Sequence, residues 1–242
     1  MNDVRLCHLY PGEMNIYADR GNIAVLRERL AWRGLSLAVT EVGIGDSPDA
    51  GAHDMFYLGG GQDRDQAVVA EDLVRHKADA LHVAARDGAV ILAVCGGYQL
   101  AGHGYSALDG SRMPGIGLLD LDTVAGETRL IGNIAIEAEL DGERAVVVGF
   151  ENHAGRTRLG PRARPLGRVL GGHGNNGEDG TEGAVQGHVV GTYLHGPLLP
   201  KNPWLADRLL TWALEHRRGT PVVLAPLDDD LEQEAHQIAR AR

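Results

Sequence analysis

The sequence is poor in cysteine, in aromatic residues and in positive charge, and each shortage narrows what the chain can be. Only two of its 242 residues are cysteine, Cys7 and Cys95. That is too few for a disulfide framework and unlike any clustered zinc-ligand pattern, so no metal site is expected. No apolar run approaches the ~20 residues needed to cross a bilayer. The amino-terminal stretch MNDVRLCHLY is polar at its start and leads directly into a strand-like run, which is not the layout of a signal peptide. A cytoplasmic location is expected. Lys and Arg number 23 against 33 Asp and Glu, for a formal charge of -10, so nucleic acid and anionic membrane surfaces are repelled and are not expected partners. The GxxxxGK[ST] phosphate loop is also missing.

What is present suits one globular unit. Hydrophobic residues make up 43% of the chain, enough for a sizeable buried core at this length. With no internal repeat and no interdomain linker, residues 1–242 are expected to form a single domain.

Apolar periodicity and breakers give an alternation of strands and helices. Val4 to Tyr10 reads as a buried strand, closed by Pro11-Gly12. Asp19 is the expected N-cap of a helix that carries Ile23, Leu26 and Leu30 at helical spacing and stops at Gly34. Strands are expected over Leu35 to Val42, Asp54 to Leu58 and the wholly apolar Ala89 to Val94. Between the last two, Arg64 to Arg86 has no Gly or Pro and reads as helix, in one or two pieces. This pattern predicts an α/β fold: a doubly wound, mostly parallel sheet flanked by helices. The middle of the chain differs, because Ile134, Ile136, Ala138 and Leu140 alternate with Asn133, Ala135, Glu137 and Glu139. Asp141-Gly142 then turns into Ala145 to Phe150, an inserted antiparallel hairpin. A loop over Gly171 to Gly183 precedes one more strand, Val185 to Tyr193. Asn202 as N-cap and Pro203 at the first helical position open a helix with Leu205, Leu209 and Trp212 on one face, and Asp228 to Arg242 reads as a terminal helix.

The most informative segment is Val90-Ile91-Leu92-Ala93-Val94-Cys95-Gly96-Gly97-Tyr98-Gln99. An apolar strand runs straight into a residue followed by two glycines and a helix, the layout of a nucleophile elbow. A cysteine at such a turn lies at the carboxyl end of a parallel strand, where open sheets bind ligands, and is placed to attack a carbonyl carbon. The bland alternative is a small buried hydrophobe, which is the reading given to Cys7. Attack on an amide creates an oxyanion that needs backbone donors. The N–H of Gly96 is one candidate, and Gly60 or Gly61 in Leu58-Gly59-Gly60-Gly61-Gln62-Asp63 is the other. Phosphate cradling by that glycine run is disfavoured by Asp63 and by the lack of a nearby Lys. A thiol nucleophile also wants an imidazole. Of eleven histidines, His195 in Tyr193-Leu194-His195-Gly196-Pro197 stands just past an apolar strand; His153 in Gly149-Phe150-Glu151-Asn152-His153 comes second.

Taken together, Cys95-Gly96-Gly97-Tyr98-Gln99, the glycine run before it and Tyr193-Leu194-His195-Gly196 after it resemble the class I glutamine amidotransferases of the cobyric acid synthase type. The resemblance covers nearly the whole chain. Gly149 to His153, the loop Gly174 to Gly180 and Leu194 to Pro203 point within that family to glutaminase subunits that form a heterodimer with a MurT-like ligase subunit. It implies a flavodoxin-like fold, with Cys95 as nucleophile and His195 as its histidine. It also implies free L-glutamine as substrate, held by Arg129 with Gln99, Asn152 and His153 as further candidates. A guanidinium suits the α-carboxylate of glutamine; the bland reading of Arg129 is a solvated surface charge. The usual acidic residue two positions past the histidine is replaced by Pro197, and the resemblance implies that the partner contributes one. No cofactor is expected on this chain, while ATP and Mg are expected on the partner. By resemblance the acceptor is the D-glutamate α-carboxyl of lipid II. A corrinoid-type amidation pathway and a non-catalytic regulatory module on the same fold remain as alternatives.

Overall fold

In the computed structural model, residues 3–15, 20–61 and 63–240 are described; the expected N-cap Asp19 lies outside them. The amino-terminal half alternates as the apolar pattern requires. Strand β1 (Val4–Leu9) is followed by α1 (Arg20–Ala31), β2 (Leu37–Val42), β3 (Met55–Leu58), α2 (Asp63–Asp72), α3 (Ala78–Asp87), β4 (Val90–Val94) and the short α4 (Gly96–Ala101). Helices α2 and α3 are two pieces joined by a π-helical turn over Leu73–Lys77. Gly34 and Gly88, both with positive φ, end α1 and α3. β1, β3 and β4 are parallel neighbours buried on both faces. Val4, Leu6, Met55, Tyr57, Val90, Leu92 and Val94 point to the side packed by α1 and by α5 (Pro203–Arg218). The alternate residues Cys7, Leu9, Phe56, Leu58, Ile91 and Ala93 face α2 and α3. Period-two alternation with both sets apolar is what a covered parallel sheet demands.

The remaining elements are β5 (Gly104–Ser106), β6 (Arg112–Pro114), β7 (Leu121–Leu140), β8 (Glu143–Leu159), β9 (Gly167–Gly171), β10 (Thr181–Glu182), β11 (Ala184–Gln186), β12 (Val189–Thr192) and α6 (Asp230–Arg240). Two sheets result. The first has the order β11-β12-β4-β3-β1-β2 and is parallel except for β11. The second runs β10-β9-β7-β5-β6, with β8 paired to β7.

Three expectations change. The hairpin around Asp141-Gly142, both residues with positive φ as a tight I′-type turn needs, is far longer than its alternating core suggested and builds the second sheet. Val185 to Tyr193 is not one strand. Gly187 with φ 60° reverses the chain, so β11 runs antiparallel to β12, and only β12 lies parallel to β4. Asn202 stands at the N-cap position of α5, but its side chain makes no cap hydrogen bond. It bonds the backbone N–H and C=O of Val148 and the C=O of Leu198 instead (2.9, 2.7 and 2.7 Å). Tertiary contact with β8 therefore takes the side chain that local geometry offered to the helix.

Candidate active site

Cys95 sits at the turn from β4 into α4 with φ 53° and ψ −108°, a conformation that costs a non-glycine residue about 1–3 kcal/mol. The turn closes because the next two residues, Gly96 and Gly97, carry no side chain. A Cβ on Gly97 would lie 2.5 Å from Leu58 O and 2.7 Å from Gly59 O, and the Gly97 N–H donates to Gly59 O at 3.1 Å. The glycine run after β3 and the cysteine elbow are thus pressed together. Gly61 is filled against Met14 in the same way, and Gly60 is buried between them. Cys95 is half-buried. Cys7, by contrast, is fully buried and its thiol is pushed up to about 12 by burial, opposed by the charge on Lys77, as an inert core thiol should be.

β12 brings the histidine to the same edge. Thr192 pairs with Val94, and the Cys95 N–H donates to Thr192 O at 2.8 Å, so His195 stands three residues beyond a direct backbone link to the cysteine. His195 is buried (1% exposed). Its backbone exchanges two hydrogen bonds with Phe150 (3.0 and 3.1 Å), which draws the Gly149 to His153 stretch of β8 alongside. Burial pushes the His195 imidazole down to about 4, helped by the charges of His153, Lys201 and Arg129 and opposed by Glu151.

Arg129 arrives by an irregularity of β7. Ala125 pairs with Gly155 and Leu130 with His153, so Gly126–Arg129 bulge out opposite the single residue Ala154. Bulges of this kind re-aim side chains beside sites. The Arg129 guanidinium donates to Asn152 Oδ1 (2.7 Å) and Asn152 O (2.8 Å). One cleft is lined by Gly61, Gln66, Cys95, Gly96, Gln99, Tyr105, Arg129, Asn152, His153 and Ala154. Most of the residues singled out in the sequence therefore meet; Gly60 and His195 are buried next to the cleft and do not line it. A larger cavity between α5 and α6, lined by residues such as Trp204, Arg208 and His236, includes none of them.

From Gln66 and Gln99 in the cleft wall a polar network runs inward. Gln66 donates to Gln99 Oε1 (3.0 Å), Gln99 to the Tyr193 hydroxyl (3.1 Å), and that hydroxyl bonds Thr157, which bonds Thr123. His153 stacks on Tyr193 with ring centroids 3.5 Å apart and donates from Nδ1 to Gly155 O. Tyr193 could have been suspected from its place beside Leu194-His195; Gln66, one helical turn past the glycine run, carries no local signal. Among the described residues no three acidic, histidine or cysteine side chains come together as a metal site.

Residues 5–203 match the CobB/CobQ-like glutamine amidotransferase domain. The chain belongs to that family. As a member it is a glutamine amidotransferase, a glutamine-hydrolysing enzyme. The subunit GatD of lipid II isoglutaminyl synthase (glutamine-hydrolysing) from Staphylococcus aureus is 40% identical over 238 residues, 98% of this chain and 95% of that one. GatD from Streptococcus pneumoniae is 40% identical over 232 residues, 96% and 88% of the two chains. The cobyric acid synthase of Rhodobacter capsulatus is 37% identical, over 63% of this chain and 32% of its own length. Among solved structures, PurLQS from Thermotoga maritima superposes with a TM-score of 0.57 at 19% identity, covering 90% of this chain and 97% of that one. At that identity the likeness speaks for the shared amidotransferase fold alone.

Proposed function

We propose that this amidotransferase is the glutaminase subunit of a two-subunit enzyme, and that its 242 residues act as one domain with Cys95 as nucleophile. The observation that carries the reading is the strained elbow: Cys95, with positive φ, lines a cleft together with Arg129, Asn152 and Gln99. The α-carboxylate of L-glutamine is held by Arg129, whose guanidinium is anchored by Asn152; Gln99 and His153 form the adjoining wall. The Cys95 sulfur attacks the side-chain amide carbon, and the developing oxyanion takes the N–H of Gly96 with that of Gly60 or Gly61. His195 accepts the thiol proton and returns it to the departing nitrogen, so that ammonia leaves and a thioester remains. Water then cleaves the thioester to glutamate and restores the thiol.

An imidazole held so far toward its neutral form is a poor acceptor of that proton. With proline at 197, an acidic side chain from a MurT-like, ATP-dependent ligase subunit is the group that raises it. The GatD relatives, 40% identical over nearly the whole chain, support lipid II as the acceptor, its D-glutamate α-carboxyl becoming D-isoglutamine on the cytoplasmic side of the membrane. ATP and Mg then act on the partner.

Ammonia release from glutamine, measured with and without the ligase subunit, is the test. Cys95→Ala is expected to abolish it in both settings. His195→Ala is expected to cut kcat, whereas His153→Ala mainly raises KM. Undiminished turnover by Cys95→Ala removes the nucleophile assignment, and equal turnover with and without the ligase removes the proposed role of the partner.

A further inference from the structure

The segment between β9 and β11 has no part in the reaction as described, yet it buries polar side chains that a surface loop would leave in water. Asn175 and Glu182 are fully buried and Asn176 nearly so. Burying such groups is costly unless each finds a partner, and the partners lie on different elements of the site. Asn175 Oδ1 accepts from the Tyr98 hydroxyl at 3.0 Å; Tyr98 stands in α4, three residues after Cys95. Glu182 Oε1 accepts from the Thr192 hydroxyl (2.6 Å) and from the Tyr193 N–H (2.8 Å). The Thr192 oxygen in turn accepts the Leu194 N–H at 3.0 Å. One carboxylate oxygen thereby fixes the last turn of chain before His195. The segment's own ends are secured from β8. Glu151 accepts from the N–H groups of His173 and Gly174 (2.7 and 2.9 Å), and Asn176 donates to Thr157 O at 3.0 Å. Asn175 also bonds the N–H and C=O of Gly183, so its grip on Tyr98 and the Glu182 grip on Thr192 move as one piece. Tyr98 and Tyr193, two of the residues gripped, pack edge to face with centroids 5.1 Å apart.

We infer that residues 172–183 form a clamp that sets the placement of Cys95 relative to His195, with Asn175 and Glu182 as its positioning residues. The inference rests on the roles given above to Cys95 and His195. Neither clamp residue lines the cleft, so both act through Tyr98 and through Thr192–Leu194, and their loss is felt in the chemical step rather than in glutamine binding. The Glu182 carboxyl is pushed up to about 7 by burial, against the pull of the Thr192 hydroxyl and the Tyr193 and Gly183 amides and with a further push from Glu151. The charged and titratable groups facing it are Glu151, Tyr98 and Tyr193. The ionised form is the stronger acceptor, so the clamp tightens as pH rises through neutrality.

The test is steady-state glutaminase kinetics of the full chain on L-glutamine from pH 5.5 to 8.5, for Glu182→Ala, Glu182→Gln, Thr192→Val and Asn175→Ser. Glu182→Ala, Thr192→Val and Asn175→Ser are expected to lower kcat at least tenfold with KM within twofold. Glu182→Gln keeps an acceptor and is expected to stay within threefold in kcat while losing the rise near pH 7. Should Glu182→Ala not fold, Thr192→Val and Asn175→Ser, which leave the Glu182 carboxyl in place, decide the matter. Folded Glu182→Ala, Thr192→Val or Asn175→Ser protein that keeps kcat within twofold, or that changes KM alone, overturns the clamp. Cys95→Ala is run in parallel: if it still releases ammonia, the site assignment fails and not the clamp.

Discussion

Cys95 and His195 are prepared in opposite ways. The cysteine is held in a conformation that L-residues avoid, with its half-buried thiol at the cleft. The histidine is kept neutral by burial, with Lys201 and Arg129 adding to the effect, and this fixes the sign of its pH dependence. A histidine whose folded value lies near 4 instead of the ordinary ~6.5 stabilises the fold above pH ~6.5, and that contribution is lost as pH falls toward 4. It also remains a free base throughout that window. The acid limb of kcat/KM for the isolated chain is expected well below 6.5, and addition of the ligase subunit should move it upward if an acidic side chain arrives beside the ring. A limb near 6.5 without the partner, seen in a pH profile of ammonia release, would contradict the burial of that imidazole.

Between residues and the whole molecule, two elements shape the cleft: the elbow and the β7 bulge. At Gly97 the elbow presses on backbone, and a methyl group there meets the carbonyl oxygens of Leu58 and Gly59. Gly97→Ala is therefore expected to push the β3 loop away from α4. Overpacking of this kind costs about 1–3 kcal/mol, and a larger fall in kcat than in stability is expected, read by comparing denaturation midpoints with turnover. The elbow was legible in the sequence because strand, small residues and helix are local signals. The bulge was not. Nothing in Glu127-Thr128-Arg129 announces that four residues of β7 face one of β8, since register irregularities depend on a strand some twenty residues away. The same reason hid the use of Asn202 by β8 rather than by α5, whereas the break in Val185 to Tyr193 is a local turn that Gly187 alone marked.

Across the whole molecule, buried charge links the helical layer on one face of the parallel sheet. Arg29, 1% exposed in α1, donates to both Asp207 in α5 and Asp229 just before α6 (2.6–2.9 Å). Arg33 adds two bonds to Asp207. Burial opposes the charge on Arg29, but the hydrogen bonds it donates to the two aspartates outweigh it and its pKa is raised. Asp207→Asn leaves that guanidinium short of a counter-charge, and removing one partner of a buried pair costs about 3 kcal/mol or more. Urea denaturation should show the loss, with glutaminase activity per folded molecule unchanged because the cluster is outside the cleft.

The apolar runs and glycine breakers by themselves determined the alternating strands and helices, the parallel sheet, the strand-to-helix elbow at Cys95 and the placement of His195 after a strand, because these depend on neighbours in the chain. Only the tertiary structure decided that Arg129 would reach the cleft through a bulge, that Gln66 and Gln99 in its wall would join Tyr193 and Thr157, and that Asn175 and Glu182 would be buried against Tyr98 and Thr192. Those are pairings of polar groups distant in sequence. Each is selected by the need of a buried donor or acceptor to find its partner once the sheets have packed.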